Sequence, residues 1–191
     1  MPDLPFSYTI PSPCHIPSRF DRHIQRHLSS LHGYFLDHAA YQVAVNRHDT
    51  LVYEVYELHR PENPGELLQG VSIIHPGKVG REFFMTKGHY HAVLDTAEVY
   101  YCLAGEGYMV METPDGESAV EPISPGQVLY VPPRWAHRSV CTSRQQALAF
   151  LFIYPGNAGH DYGTIETQGF KKLVMDGDNG IEIVDNPRWK K

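Results

Sequence analysis

Three cysteines in 191 residues are too few for a disulfide framework, and Cys14, Cys102 and Cys141 form no CxxC pair of a zinc or redox site. They read as reduced thiols, which predicts a cytoplasmic protein. Basic residues are also scarce. The 16 Lys and Arg against 22 Asp and Glu leave a formal charge of -6, without the basic stripe that a nucleic-acid partner requires. A small anionic substrate stays compatible with that balance, because a local cluster can hold one phosphate whatever the net charge. No apolar run approaches the ~20 residues of a membrane span; the longest, Ala147 to Tyr154, is of strand length. Met1 to Ile10 carries Asp3 and two prolines but neither the basic nor the apolar region of a secretory signal. The glycine-rich loops GxxxxGK[ST] and GxGxxG are absent, and with them the usual nucleotide-binding α/β folds. Without repeats or a break in composition, one domain over residues 1–191 is expected.

The chain is rich instead in histidine and tyrosine, 12 of each, and in short β-prone runs closed by turn residues. Val52–Leu58, Leu68–Ile74, Glu98–Leu103, Tyr108–Thr113, Gln127–Val131, Ala147–Tyr154, Phe170–Met175 and Ile181–Val184 carry β-branched and aromatic side chains. The breaks between them include His75-Pro76-Gly77, Pro114-Asp115-Gly116 and Ser124-Pro125-Gly126, which favour hairpins. An all-β jelly-roll sandwich or barrel over about residues 50–185 follows. Ahead of it lies an extension of about 1–45. There Phe20, Ile24, Leu28, Leu31 and Phe35 recur at helical spacing and predict a helix over residues 18–31, with His15, His23, His27, His32 and His38 as mostly solvated neighbours.

The chemistry concentrates in Gly88-His89-Tyr90-His91, six residues, then Glu98, six residues, then Gly105. On a strand, residues 89 and 91 share a face, so two imidazoles can chelate one ion. A hairpin returning from His91 would bring the Glu98 carboxylate across from them. Much later, His137 follows the rigid Pro132-Pro133 turn and offers a fourth ligand. Three neutral imidazoles and a carboxylate suit iron(II), manganese(II), nickel(II) or zinc(II). Four protein donors on an octahedral ion leave two positions for substrate or water; zinc's preference for four-coordinate closure slightly favours the others.

This order of motifs resembles the cupin superfamily, and its longer gap before Glu98 resembles the cupin-type phosphoglucose isomerases. The runs that carry the likeness are Ser72-Ile73-Ile74-His75-Pro76-Gly77, Glu82, Thr86-Lys87-Gly88-His89-Tyr90-His91 and Glu98-Val99-Tyr100. Gly33-Tyr34-Phe35, Tyr130-Val131-Pro132-Pro133, Gly159-His160-Asp161-Tyr162-Gly163 and Asn186-Pro187-Arg188-Trp189 extend it over nearly all of the chain from residue 28. Ser72 stands where the family usually has Thr, which keeps the hydroxyl, and Cys141 where Asn is usual, which touches no proposed ligand.

The resemblance implies interconversion of glucose 6-phosphate and fructose 6-phosphate through an enediolate, in glycolysis or gluconeogenesis. It implies one divalent ion per chain, with iron(II) expected ahead of the others, and a homodimer without nucleic-acid or membrane partners. Glu98 becomes both ligand and proton-transferring base, with Tyr100 on the same strand face beside the sugar. Tyr53, Ser72, Thr86, the Gly88 backbone, Tyr154, His160 and Tyr162 become the phosphate and substrate donors, with Lys87, Arg134 and Arg138 as sources of positive potential. On a straight strand Thr86 would face away from His89 and His91, so the chain must bend near Gly88. Two other readings remain. Three His and a Glu on iron(II) can also activate oxygen, as in a cupin dioxygenase, and a non-catalytic sugar-binding cupin is the third.

Overall fold

The computed structural model describes residues 4–190; residues 1–3, part of the opening stretch read above as lacking a signal, and Lys191 lie outside them. In chain order the elements begin with β1 (Arg22–His27), a 3-10 turn (Leu28–Leu31), α1 (His38–Arg47), β2 (Leu51–Leu58), β3 (Leu67–Ile74), β4 (Lys78–Val79) and β5 (Glu82–Phe83). They continue with β6 (Glu98–Ala104), β7 (Gly107–Glu112), β8 (Ser118–Ile123), β9 (Val128–Val131), β10 (Ala136–Cys141) and β11 (Leu148–Pro155). The short helix α2 (Gly163–Gln168), β12 (Lys172–Gly177) and β13 (Gly180–Asp185) complete the described chain.

The result is an all-β cupin barrel. One wall is a six-stranded antiparallel sheet in the order β1-β2-β3-β11-β6-β9. The other is built from β10-β7-β8, joined through bridges Met85↔Val140 and His89↔His137 to the segment that follows β5 and so to the sheet β13-β12-β5-β4. Period-two alternation sets what each wall presents to the interior. On β11, Leu148, Phe150, Phe152 and Tyr154 are buried, and Phe150 and Phe152 pair with Cys102 and Tyr100 of β6. These aromatic side chains fill the space between the walls with Met109, Met111, Ile74 and Leu129. A smaller cluster on the outside of the large sheet, Tyr56, Val71, Ile73, Ala104 and Ala149, is covered in part by Ile10 of the N-terminal stretch.

The helix expected over 18–31 is not formed. Residues 22–27 are the edge strand β1, paired with β2, and the first α-helix begins at His38, where the Asp37 side chain accepts a hydrogen bond from the Ala40 amide at 2.8 Å. The apolar residues Phe20, Ile24 and Leu28 explain the misreading. A spacing of four keeps side chains on one face of a helix, and being even it keeps them on one face of a strand too. The polar residues decide. Arg22, Ile24 and Arg26 pair with Glu57, Val55 and Tyr53 on the inner face, while His23 and Gln25 bond Glu54 on the outer face. The extension therefore contributes a strand to the barrel wall. Ser118–Ile123 and Ala136–Cys141 are further strands that the sequence did not announce. The first carries Pro122 and lies at a sheet edge, where a residue without an amide hydrogen is tolerated.

Candidate metal centre

His89 and His137 face each other across a narrow antiparallel bridge. Each amide donates to the other's carbonyl, at 3.3 and 3.1 Å, so both side chains leave on one face. His91, two residues along the same extended run, shares it. Glu98 arrives differently from the expected hairpin. It heads β6 in the six-stranded wall, between β11 and β9, and meets the histidines across the barrel interior. The six residues after His91 are what allow the chain to cross from one wall to the other. The ligand atoms of these four side chains lie within 4.8 Å of one another, and among the described residues this is the His/Cys/Asp/Glu cluster with metal-holding geometry.

The hydrogen bonds around the cluster assign its protons. The single hydroxyl hydrogen of Thr96 is donated to Val93 O at 2.6 Å, so Thr96 Oγ1 must accept from His91 Nδ1 at 2.8 Å, with Thr96 O a second acceptor at 3.2 Å. His91 Nε2 is then a bare lone pair, 3.2 Å from Glu98 Oε2. His137 Nδ1 faces Trp135 O at 3.4 Å, and His137 Nε2 sits 2.9 Å from the same Glu98 oxygen without hydrogen-bond geometry. His89 Nε2 is buried with no partner at all. Burial, with His137 and His160 adding to it, holds the His89 ring well below the ordinary imidazole pKa, so it is neutral. Lone pairs aimed at a carboxylate repel one another unless a cation lies between them. A divalent ion would satisfy every one of these atoms, and the donor set fits one. Burial alone would raise the Glu98 carboxyl; positive charge among the imidazoles, whether protons on the rings or a divalent ion between them, outweighs it and holds it well below the usual carboxylate range.

The cluster closes the inner end of a cavity of about 100 Å³ that widens outward into a vestibule of about 360 Å³. His89, Glu98 and His137 line the inner cavity, as does Tyr100, whose phenol is pushed well above its usual range by burial and by Glu98. Tyr53, Ser72 and Tyr154 line it from the six-stranded wall, together with Thr86, Gly88, His160 and Tyr162. His91 stands behind the lining. The last two come into place because Tyr90 and Asp161 exchange backbone bonds of 3.0 and 2.8 Å, which lays the residue on either side of Asp161 against His89; the His89 and His160 rings are 4.4 Å apart. Burial raises the Tyr53 hydroxyl to about 12 and lowers His160, so at neutral pH Tyr53 is a proton donor and His160 is uncharged.

The bend required at Gly88 is present. Its φ is +75°, and a Cβ there would fall 2.5 Å from the Phe170 ring. Arg138 clamps the bend from behind, donating Nε and Nη2 to Lys87 O at 3.2 and 2.7 Å. Of the three cations expected near the site, Lys87 lines the cavity. Arg138 is buried on the side of β10 away from His137, stacked on Phe170, and Arg134 lies exposed in the turn after Pro133. Among the cavity and cluster residues that escaped the sequence reading are two that bear on the polar chemistry of the site. Thr96 sat unremarked in the gap before Glu98, and Arg26 was hidden by the misassigned helix; reading residues 22–26 with period two would have exposed the latter.

The family model for glucose-6-phosphate isomerase matches residues 25–190. A glucose-6-phosphate isomerase of Pyrococcus abyssi is 51% identical over 167 residues, covering 87% of this chain and 88% of its own. One of Sinorhizobium medicae is 41% identical over 170 residues, covering 87% and 79%. A solved Bacillus subtilis oxalate decarboxylase aligns with 58% of this chain and 28% of its own at a TM-score of 0.44 and 18% identity, too partial to carry an argument. No helix among the described residues is long and apolar enough to cross a membrane. The chain belongs to the glucose-6-phosphate isomerase family, in its cupin form.

Proposed function

We propose that this protein interconverts glucose 6-phosphate and fructose 6-phosphate, with one divalent ion held by His89, His91, Glu98 and His137. The observation that carries the reading is the convergence of unpartnered imidazole nitrogens and a carboxylate at the inner end of a hydroxyl-lined cavity. When bound, the ion would supply Lewis-acid stabilisation of the charge that develops on O1 and O2 as the carbonyl migrates. Iron(II) is the ion we assign, on a donor set that also suits manganese(II), nickel(II) and zinc(II).

Glu98, ionised and buried, takes the proton from one of the two reacting carbons and returns it to the other, with an enediolate between the two steps. Tyr100 keeps its proton, faces Glu98 and fixes the orientation of the carboxylate and the adjacent sugar oxygens. The hydroxyls of Tyr53, Ser72, Thr86, Tyr154 and Tyr162, the Gly88 amide and His160 supply the donors that a phosphate and a polyol chain require. The placing of one Glu98 oxygen against both His91 and His137 supports a second reading of the same step, a direct hydride shift between C1 and C2 with Glu98 serving the ion alone. We assign the activity to a single-domain cytoplasmic enzyme of central sugar metabolism, acting as a homodimer.

The test is a coupled assay of fructose 6-phosphate isomerisation through a glucose-6-phosphate dehydrogenase reporter, before and after chelation. Turnover is expected to vanish with chelator and return with a divalent ion. Absence of turnover with every ion supplied, or oxygen uptake with a carbonyl substrate, would turn the reading towards a dioxygenase or a binding protein. Run in deuterated water, deuterium at C2 of the glucose 6-phosphate formed supports proton transfer, whereas complete exclusion of label counts against it.

A further inference from the structure

Among the described residues three permanent cations border the cavity and its vestibule, and two are ion-paired. Arg22 Nη1 is 3.4 Å from Glu57 Oε2, and Lys87 Nζ is 3.3 Å from Glu166 Oε1. Among the described residues Arg26 has no carboxylate within ion-pair distance, although its charge bears on Glu57; its side chain makes a long bond to Gln25 O, 3.4 Å, and reaches the Tyr53 hydroxyl. Its place in the fold is specific. Arg26 is the last residue of β1 in register with β2, opposite Tyr53, before a bulge shifts the pairing so that His27 meets Leu51. The strand's alternation turns Arg26 inward with Ile24, and it lines both the inner cavity and the vestibule. The guanidinium therefore stands at the neck that joins them. It bears on the Tyr53 hydroxyl and on the Tyr162 hydroxyl across the opening, drawing both pKa values back against the rise that burial imposes.

We propose that Arg26 is the residue that reads the charge of the substrate, gripping the terminal phosphate dianion at the neck and setting the preference for a phosphorylated over a free sugar. The proposal rests on the sugar-phosphate reading above. With the reacting carbons at the metal cluster, the phosphate lies at the opposite end of a six-carbon chain, towards the opening. Hydroxyls can orient a dianion but bring no charge to it. Guanidinium offers two parallel N–H donors matched to two phosphate oxygens, and with no carboxylate of the described residues in direct contact, Arg26 can turn that fork to the opening.

The experiment compares wild type, Arg26→Met and Arg26→Lys, all metal-loaded. It uses fructose 6-phosphate turnover, and calorimetric binding of 6-phosphogluconate against gluconate, which differ by the terminal phosphate. Removing a charge-assisted pair should weaken 6-phosphogluconate binding and lower kcat/KM by roughly 10- to 100-fold in Arg26→Met. Gluconate binding should be unchanged, and Arg26→Lys should recover part of the loss. Arg26 lies on a half-exposed edge strand, and equal melting temperatures would verify that the fold is intact. Equal loss for both aldonates, or no loss for either, would overturn the role of Arg26 while leaving an active wild type and its isomerase reading standing. A wild type inactive on fructose 6-phosphate would overturn both together.

Discussion

On the outer face of β1, β2 and β3, His23, Gln25, Tyr56 and His75 direct their polar atoms at the two oxygens of Glu54, at 2.7, 3.2, 3.2 and 3.1 Å. Deep in the barrel, Glu98 meets His91 and His137 at similar distances, 3.2 and 2.9 Å. The two carboxylates have the same kinds of neighbours and opposite electronics. Around Glu54 the lone pairs are taken up by donors, so the cluster is complete as it stands. Around Glu98 at least one imidazole presents a lone pair of its own, because Thr96 has claimed the proton on the far nitrogen. Polar groups that satisfy one another build structure, whereas those left facing the same empty point mark where something else must bind.

That contrast can be broken at three depths. The largest effect should come from Glu98→Gln, which removes both a ligand and a base: kcat should fall by roughly 10²- to 10⁴-fold, measured in the coupled assay with the ion in excess. Residual activity near wild type would mean that the carboxylate carries neither role. Thr96→Val leaves every proposed ligand in place but frees His91 to carry its proton on either nitrogen. Divalent-ion affinity should drop roughly 10- to 100-fold, read by competition with a chromophoric chelator, and an undiminished affinity would show that some other contact fixes the ring.

The smallest effect belongs to Glu54→Gln, with turnover unchanged and about 1 kcal/mol lost from unfolding at neutral pH. Burial pushes the Glu54 carboxyl up, but the bonds from His23, Gln25, His75 and Tyr56 outweigh it and leave it below its ordinary 4.5. A folded pKa below the unfolded one contributes stability above pH 4.5 and loses it as pH falls through the folded value. Denaturant melts of wild type and variant should therefore converge as pH drops below about 4.5. A difference that persists in acid would contradict the charge-based account of this cluster.

Much of the barrel was legible because its strands alternate and its turns are written in Pro, Gly and Asp. Leu51–Leu58 and Leu67–Ile74 lie within a residue of where period two places them. The first forty residues were harder, since apolar positions four apart satisfy both periods and only the polar residues between them distinguish helix from strand. Among the site residues, spacing drew attention to His89, His91, Glu98 and His137, and the structure gathers them. Spacing could not say that Glu98 belongs to the opposite wall, because that depends on which strands pair over long sequence separations. Thr96 carried no signal of its own, and that of Arg26 was lost with the misassigned helix. One matters through the hydrogen bond it accepts, the other through the cavity its strand turns it towards, and neither property exists until the chain is folded.

The crossing of residues 92–97 from one wall to the other has a consequence beyond catalysis. With three candidate ligands on one sheet and the fourth on the other, an ion seated among them would act as a cross-link whose strength is set by supply. Each tenfold rise in free ion above its dissociation constant would add about 1.4 kcal/mol to the folded state by mass action. The barrel would then be tightest in cells replete with metal and loosest, at this seam first, in cells starved of it.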